Sequence, residues 1–357
     1  MLKKDVEKYF ELAKPNLLTG KMGLTTTPKA YLLGGQGGVG KGILCGLILD
    51  SHINKNSFLS INGDNYREYH PDFMSLIRND NKFSQETQIF SNIFTEKMIE
   101  TGIQNRFNLI IEGTMRNPNT PLMTAKMLKD HGYSVEAHVI AAPKEFSSIN
   151  AFYRYTRELQ KQGWGRLVDM HSHDTAVNGL PMSLDIIQQS GLVDRIRIFT
   201  MFAKEQGADY MRINGKEWNI KQKPSKMVKL MREKQLADVN CINRQLQNGL
   251  ISLALLSDSL KPRLSKYILQ LQSIKTKVDK INELDISDLT FRNIQNKWLL
   301  SATINNQSFY INDINKEDVA DYKNKEISDK QLLFRLSVKN QIDLLLNQQS
   351  NNKGLKI

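Results

Sequence analysis

The sequence predicts an α/β fold in which a mainly parallel sheet is covered by helices on both faces. Short apolar runs typical of buried strands alternate with longer segments of helical spacing between residues 5 and 213. The first of these runs is followed at once by a glycine-rich segment, a lysine and an apolar helix. Such alternation is typical of βα units, whose strands pair in parallel.

The glycine-rich segment at 34–41 reads Gly-Gly-Gln-Gly-Gly-Val-Gly-Lys. Because glycines lack a Cβ, backbone N–H groups can converge on phosphate oxygens, and the following helix N-terminus adds partial positive charge. The strand–loop–helix context therefore predicts a P-loop NTPase-like fold, in which Lys41 reaches the β- and γ-phosphates. The alternative is a glycine-rich turn without a ligand. The predicted nucleotide-binding residues are Gly35, Gln36, Gly37, Gly38, Val39, Gly40, Lys41 and Gly42.

The elements of this fold follow in order along the chain. The predicted strands cover 29–33, 57–61, 107–111, 135–140, 195–199 and 210–213. The predicted helices cover 5–20, 43–49, 84–101, 121–131 and 144–162. Ser84 is the predicted N-cap of the helix over 84–101, since its hydroxyl can accept a bond from a backbone amide. Residues 163–166 break the last of these helices, and 167–194 carry no predicted element.

Two of the predicted strands end at a carboxylate. Asp64 follows the strand at 57–61, and Glu112 follows the strand at 107–111. Functional groups in α/β folds gather at the carboxyl ends of parallel strands. There, a carboxylate can accept a proton from a substrate hydroxyl, and P-loop proteins carry a metal-associated carboxylate at the place of Glu112. For Asp64 alone, an ordinary turn aspartate after Gly63 has comparable weight.

Beyond residue 222 the chain changes to helices rich in Lys, Asn and Gln, predicted over 225–250, 251–282 and 328–349. Residues 285–325 are less regular, and no catalytic motif is present in this part. The predicted domains are a P-loop domain over 1–222, a helical accessory domain over 223–349, and a flexible tail over 350–357. The accessory domain either contacts a partner or inhibits the chain that carries it.

Composition limits the partners and the compartment. The formal charge of +12 indicates an anionic partner, but the lysines form no dense arm, so charge alone does not indicate nucleic-acid binding. No apolar stretch is long enough to span a bilayer, and no secretory signal is visible. Cys45 and Cys241 lie too far apart to indicate a disulfide framework or a metal site. The simplest compartment is a reducing cytoplasm, and secretion without a cleaved signal stays open.

An ordered series of motifs extends over a little over half of the chain, from Tyr31 to Arg212. Its landmarks are residues 32–36, Gly40-Lys41, Asp64, His70-Pro71-Asp72, residues 111–114, Arg116, Pro121, Thr124-Ala125, Leu128, Gly132-Tyr133, Arg154-Tyr155, Arg166, His173-Asp174, Leu180-Pro181 and Leu184. This series resembles the zeta toxin family of P-loop kinases, the toxin half of epsilon/zeta-type toxin–antitoxin systems.

The resemblance implies that ATP or GTP phosphorylates a hydroxyl of UDP-N-acetylglucosamine or a related UDP-amino sugar, which blocks cell-wall precursor synthesis. It also implies Mg²⁺, with unknown protein ligands, and an antitoxin partner. The implied catalytic residues are Lys41, Asp64 as general base, and Arg154 and Arg166 at the transferring phosphoryl group. Guanidinium groups suit that charge because they are planar, multidentate and always charged. The substrate-binding residues that the resemblance implies are Asp64, Arg67, Glu112, Thr114 and Arg116.

Three positions depart from the family pattern. Gly42 replaces a hydroxyl residue that would bind Mg²⁺, Asn62 stands where an aspartate is frequent, and 37–38 read Gly-Gly instead of Pro-Gly. These departures put the catalytic rate in question, so two alternatives stay open. One is a kinase of another small molecule, such as a nucleotide or an antibiotic. The other is a nucleotide-binding interaction protein without turnover. For His173 and Asp174 we favour a structural role over a catalytic one.

Overall fold

The computed structural model describes residues 3–77, 83–343 and 345–347. These residues form two compact units. The first contains the described residues up to Arg232 together with Asn248–Leu264, and the second contains Glu233–Gln247 together with the described residues from Ser265 onward. The predicted boundary between residues 222 and 223 stays a prediction, and the predicted tail at 350–357 lies outside the described residues.

The helices and strands are numbered in chain order. The helices are α1 Lys3–Leu18, α2 Lys41–Asp50, α3 Gly63–Tyr66, α4 Phe73–Leu76, α5 Phe83–Glu86, α6 Gln88–Gln104, α7 Asn119–Asp130, α8 Lys144–Gln162, α9 Met170–Ser190, α10 Pro224–Leu236, α11 Val239–Leu255, α12 Lys261–Asn282, α13 Lys316–Lys323 and α14 Asp329–Val338. The strands are β1 Lys29–Gly34, β2 Phe58–Asn62, β3 Asn108–Glu112, β4 Ser134–Ile140, β5 Arg195–Phe199, β6 Gln206–Ile213, β7 Glu217–Trp218, β8 Ile286–Ile294, β9 Lys297–Ile304 and β10 Gln307–Ile314.

The first unit is built on a seven-stranded sheet with the order β2-β3-β1-β4-β5-β6-β7. The strands β2, β3, β1, β4 and β5 pair in parallel, and β6 and β7 are antiparallel additions at one edge. The predicted mainly parallel sheet is therefore confirmed. In the register of the sheet, Glu112 pairs with both Leu33 and Asn62, so the carboxyl ends of β1, β2 and β3 lie side by side.

Both faces of this sheet carry helices. One face is apolar: Leu32, Leu109 and Ala137 are buried in a core that also contains side chains of α1, α6, α7 and α9. On the opposite face the thiol of Cys45 in α2 lies 3.5 Å from the Ser60 hydroxyl in β2. Because neighbouring residues of a strand point to opposite faces, Ser60 faces away from that apolar core, and α2 covers the second face.

The helix predicted over 84–101 begins later than expected. A short helix, α5, ends at Glu86, and α6 begins at Gln88 with Thr87 before it. Ser84 lies inside α5 and is not the N-cap of α6. The helix is interrupted here because the guanidinium of Arg67 donates hydrogen bonds to the carbonyl of Ser84 and the hydroxyl of Thr87.

Helix α9 was not predicted from the sequence. It contains Gly179 and Pro181, two residue types that weaken a helical pattern. The glycine has a packing reason, because a Cβ at position 179 would lie 2.1 Å from the carbonyl oxygen of Arg116. At its start, Asp169 caps α9 by accepting a hydrogen bond from the amide of Ser172.

The chain beyond residue 222 is helical as predicted, but it also contains the antiparallel sheet β10-β9-β8 in the second unit. Two-residue turns join its strands, at Gln295-Asn296 and at Asn305-Asn306, and all four residues have positive φ. Such turns match the twist of a hairpin and favour Asn, which is the signal that the polar composition of 285–325 obscured. The helix predicted over 251–282 begins only at Lys261.

Candidate active site

The predicted nucleotide-binding residues lie in the turn between β1 and α2, at 35–40, and at the start of α2, at Lys41 and Gly42. Gly35, Gly38 and Gly40 have φ values of 136°, 83° and 95°, which residues with a Cβ rarely adopt. The turn is also tightly enclosed. A Cβ at Gly38 would lie 2.4 Å from the carbonyl oxygen of Ser147, and one at Gly40 would lie 2.7 Å from the ring of Phe202. The glycines are therefore required by both backbone conformation and close packing.

The N-terminus of α2 presents unused backbone donors. The amides of Ile43 and Leu44 bond to the carbonyl of Gly40. Within the part of the chain that the structure describes, the amides of Gly40, Lys41 and Gly42 donate no hydrogen bond. Free amides at the positive end of a helix dipole form an anion site, so this turn is suited to phosphate oxygens.

Lys41 is folded back over its own loop. Its Nζ donates to the carbonyls of Gly35 and Gln36, at 2.9 Å and 3.2 Å. Burial lowers the pKa of Lys41, an effect that the nearby carboxylates of Glu112 and Asp64 partly offset. Phosphate oxygens carry more negative charge than carbonyls, so a bound nucleotide would draw the ammonium group away from the loop.

Asp64 stands at the start of α3, directly beyond the end of β2. Asn62 positions it, because the Asn62 Oδ1 accepts a hydrogen bond from the Asp64 amide at 3.0 Å. Both carboxylate oxygens are engaged: Oδ1 accepts from Arg67 Nε at 3.2 Å and Oδ2 from Arg166 Nη2 at 2.6 Å. Burial would raise the pKa of Asp64, but the charges of Arg166 and Arg67 outweigh it and hold the pKa below its ordinary value. The side chain is 45% exposed and can be reached by a substrate.

Arg67 is a buried residue whose hydrogen bond to Oδ1 fixes the position of Asp64. The residue is only 6% exposed, and its guanidinium also donates to the Ser84 carbonyl, the Thr87 hydroxyl and Gln88 Oε1. With these donors occupied, the contacts of Arg67 are those of a residue that positions Asp64. Its predicted direct contact with a substrate stays a prediction.

Glu112 and Thr114 lie at and just past the end of β3. Burial raises the pKa of Glu112, and the charge of Lys41 partly offsets this shift. The carbonyl of Thr114 accepts a hydrogen bond from the amide of Gly35, so its backbone braces the first glycine of the P-loop. Arg116 is exposed, and among the described residues its side chain makes no hydrogen bond or ion pair.

The sequence did not reveal Glu158, which holds the two candidate phosphoryl arginines together. Its Oε1 lies 3.3 Å from Arg154 Nε, and its Oε2 accepts a hydrogen bond from the Arg166 amide at 2.9 Å. Burial lowers the pKa of Arg154, and the charge of Arg166 lowers it further. Because the charge of Arg166 acts on Arg154, an anion that contacts both guanidinium groups would relieve their repulsion. The only signal in the sequence was the spacing of four residues between Arg154 and Glu158.

The donor set does not form a protein-held Mg²⁺ site. Gly42 offers no hydroxyl, and both oxygens of Asp64 are taken by arginines. Over residues 3–77, 83–343 and 345–347 there is no group of three or more His, Cys, Asp or Glu side chains that could hold a metal ion. The residues present therefore do not fit a cation unless nucleotide phosphates supply its ligands.

Among the described residues, no helix is both long and apolar enough to cross a membrane. Neither Cys45 nor Cys241 takes part in a disulfide within the described residues.

Comparisons with known proteins found similar sequences and a similar fold. The family model described as Zeta toxin matches residues 17–215. Toxin zeta of Enterococcus hirae is 33% identical over 185 residues, which are 51% of this chain and 64% of that protein. Toxin PezT of Streptococcus pneumoniae is 32% identical over 178 residues, which are 48% of this chain and 68% of that protein.

A solved structure from a study of the PezAT chromosomal toxin–antitoxin system of Streptococcus pneumoniae has the same fold. It superposes with a TM-score of 0.55 at 20% identity, covering 76% of this chain and 97% of that chain. This chain spans slightly less than two thirds of the zeta toxins of Enterococcus hirae and Streptococcus pyogenes, at 64% and 63% of their lengths. Because the family model covers more than half of its residues, the chain belongs to the zeta toxin family.

Proposed function

We propose that this chain is a small-molecule kinase that transfers the terminal phosphoryl group of ATP or GTP to a hydroxyl of UDP-N-acetylglucosamine or a related UDP-amino sugar. The observation that carries the proposal is the contact of Asp64 with Arg166, beside Lys41 of the P-loop. Phosphoryl transfer needs an oriented hydroxyl and neutralised phosphoryl oxygens, and little covalent help from the protein. An ionised aspartate next to two arginines and a P-loop lysine meets those needs.

The contacts of Asp64 suggest how the acceptor is held. Each carboxylate oxygen has more than one acceptor position and the side chain is 45% exposed, so an acceptor hydroxyl can bond to Asp64 beside Arg166. Arg166 and Arg154 face the transferring phosphoryl group, whose negative charge relieves the repulsion between the two arginines. Asp64 accepts the hydroxyl proton as the new P–O bond forms. Glu112, the last residue of β3, and Thr114, two residues further on, hold the sugar.

We further propose that the chain acts as a toxin on cell-wall precursor synthesis in the cytoplasm. The names of the curated relatives and the toxin–antitoxin origin of the solved structure support this step. A separate antitoxin protein, or the C-terminal region of the chain itself, would restrain the activity.

The test is product analysis by mass spectrometry after incubation with ATP or GTP and a panel of nucleotide sugars. A phosphorylated UDP-amino sugar as the main product is the expected result. Phosphorylation of a nucleotide or an antibiotic instead would indicate a different kinase on the same fold. Nucleotide binding without any phosphorylated product would favour an interaction protein, an alternative supported by Gly42 at the position where a P-loop has a hydroxyl.

Replacing Thr114 by Val should weaken binding of the sugar nucleotide and leave ATP binding unchanged. The loss of one hydrogen bond to a neutral group corresponds to about 0.5–1.5 kcal/mol. The brace to Gly35 is a backbone bond and survives the substitution. Titration calorimetry with each ligand separates the two effects.

Thr124→Val is the matched control, since among the described residues the Thr124 hydroxyl bonds only to the Thr120 carbonyl within α7. A Thr114→Val protein that loses affinity for ATP but not for the sugar nucleotide would contradict the assignment of Thr114 to the sugar.

A further inference from the structure

A hydrogen-bonded series of buried polar side chains lies behind the P-loop and has no part in the proposed chemistry. It begins at Gln36, whose side chain is 0% exposed. Gln36 Nε2 donates to the Ala142 carbonyl and to the Ser147 hydroxyl, both at 3.0 Å. Because the Ala142 carbonyl can only accept, the amide orientation is fixed with its NH₂ group toward Ala142 and Ser147. A side chain inside the P-loop is thus tied to the first turn of α8.

The hydrogen-bonded series continues from Ser147 to His173 and Asp174 in α9. Ser147 Oγ lies 2.9 Å from His173 Nε2, and His173 Nδ1 lies 3.1 Å from Asp174 Oδ1. The second oxygen of Asp174 accepts from Lys144 Nζ at 2.7 Å. Ser147 and His173 are 0% and 1% exposed. Although serine, histidine and aspartate also form nucleophilic triads, a hydroxyl this deeply buried is out of reach of a substrate.

The proton positions in this hydrogen-bonded series follow from the residues at its two ends, Gln36 and Asp174. The Asp174 carboxylate, paired with Lys144, can only accept, so His173 carries its proton on Nδ1. Burial lowers the pKa of His173, with Asp174 partly offsetting the shift and Lys144 and Lys41 adding to it, so the ring is neutral at neutral pH. The carbonyls of Pro143 and Lys144 also lie within reach of the Ser147 hydroxyl, at 3.0 Å and 3.1 Å. A lone pair on Nε2 at 2.9 Å from Oγ would repel the oxygen, so this geometry favours the Ser147 proton on Nε2, while Ser147 accepts from Gln36. Gln36, Ser147 and His173 then each donate away from the P-loop.

Helix α8 makes a second contact with the loop. Asn150 Nδ2 donates to the Gly38 carbonyl at 2.6 Å. Ser147, Asn150 and Arg154 are three and four residues apart, a spacing that places them on one face of α8. The same helix face therefore holds the P-loop at two points and carries Arg154 one turn further on.

We propose that Ser147, oriented by His173, is a positioning residue that sets the P-loop against α8 and thereby tunes the affinity for the nucleotide phosphates. The inference rests on the proposed function, because it assumes that the P-loop binds a nucleoside triphosphate. It assigns a role to a buried pair that the proposed chemistry leaves unused. Without the Ser147 hydroxyl, Gln36 and His173 each lose a partner, and the loop loses one of its two ties to α8, with the bond from Asn150 to Gly38 remaining.

The test compares Ser147→Ala with Ser148→Ala in the full chain. Ser148 is the matched control: it is equally buried, and its hydroxyl has no hydrogen-bond partner among the described residues. Kd is measured for ATP and for UDP-N-acetylglucosamine, and thermal unfolding is recorded for each protein. We expect Ser147→Ala to raise the Kd for ATP about tenfold, the scale of one buried hydrogen-bond group left unsatisfied, and to leave the Kd for the sugar nucleotide unchanged. Ser148→Ala should bind both ligands as the unmodified chain does.

The outcomes separate this inference from the proposed function. Failure of the unmodified chain to bind any nucleoside triphosphate would overturn both. If the unmodified chain binds ATP and Ser147→Ala binds it equally well, or if both ligands weaken to the same extent, the positioning role is wrong and the proposed function stands.

The direction of the hydrogen-bond chain has its own test in the unmodified protein. Nitrogen-15 NMR of labelled histidines distinguishes the two neutral tautomers, and we expect His173 to carry its proton on Nδ1. A His173 protonated on Nε2 at neutral pH would reverse the direction of its hydrogen bond with Ser147 and overturn the inference. This measurement does not depend on a variant that folds.

Discussion

Replacing Asp64 by Asn is expected to reduce turnover by about 10²-fold or more, the usual scale for the loss of a general base. The environment of Asp64 and the chemistry of the substituted amide both support this expectation. Its pKa is held low by Arg166 and Arg67, so the carboxylate is ionised and ready to accept a proton at neutral pH. An amide at this position accepts only weakly and cannot take up the hydroxyl proton. Nucleotide affinity should be retained, because the donors of the P-loop are unchanged.

The measurement is the initial rate of product formation together with the Kd for ATP. Asp72→Asn is the control, since Asp72 lies on the same segment and its carboxylate makes no hydrogen bond or ion pair among the described residues. Turnover of purified Asp64→Asn near that of the unmodified chain would remove Asp64 from the mechanism. If Asp72→Asn lost activity to the same degree, the effect would reflect the segment and not the base.

The fold of the first unit could be predicted because its signals are local. The apolar run of β1, the glycines after it and the helical spacing of α8 are each visible within one stretch of sequence, and α8 was predicted at the observed bounds, Lys144–Gln162. The three-stranded sheet was not predicted. Its strands mix apolar with polar side chains, and its clearest signals are the turns at Gln295-Asn296 and Asn305-Asn306.

The candidate site was predictable in its residue types and not in its pairings. The contact of Arg166 with Asp64 joins residues 102 positions apart, and nothing in the spacing of the sequence indicates it. The same holds for Arg67, which reads as an exposed residue on a short helical turn until the chain from Ser84 to Gln88 closes over it. Glu158 shows the same limit, because its role depends on where the loop after α8 places the Arg166 amide.

Gly42→Thr should make the enzyme faster and less demanding of Mg²⁺. Position 42 lies in the first turn of α2, where a Cβ would meet no atom within 4 Å, so the side chain fits without displacing a neighbour. Glycine in a helix is also less favourable than threonine by a few tenths of a kcal/mol, so stability should rise slightly. With a hydroxyl at the P-loop position that usually binds Mg²⁺, we expect turnover at limiting Mg²⁺ to rise about tenfold.

Two control variants separate the hydroxyl from other effects of the substitution. Gly42→Val adds a side chain of the same shape without a hydroxyl, and Gly46→Thr adds the same hydroxyl one helical turn further along α2, where a Cβ is equally free of contacts. Initial rates are measured against Mg²⁺ concentration for all four proteins. Only Gly42→Thr should shift the half-saturating Mg²⁺ concentration downward, and it should also be more harmful to a bacterium that expresses it. Superimposable curves for Gly42→Thr and the unmodified chain would show that other groups compensate for the missing hydroxyl, so that Gly42 does not limit the reaction.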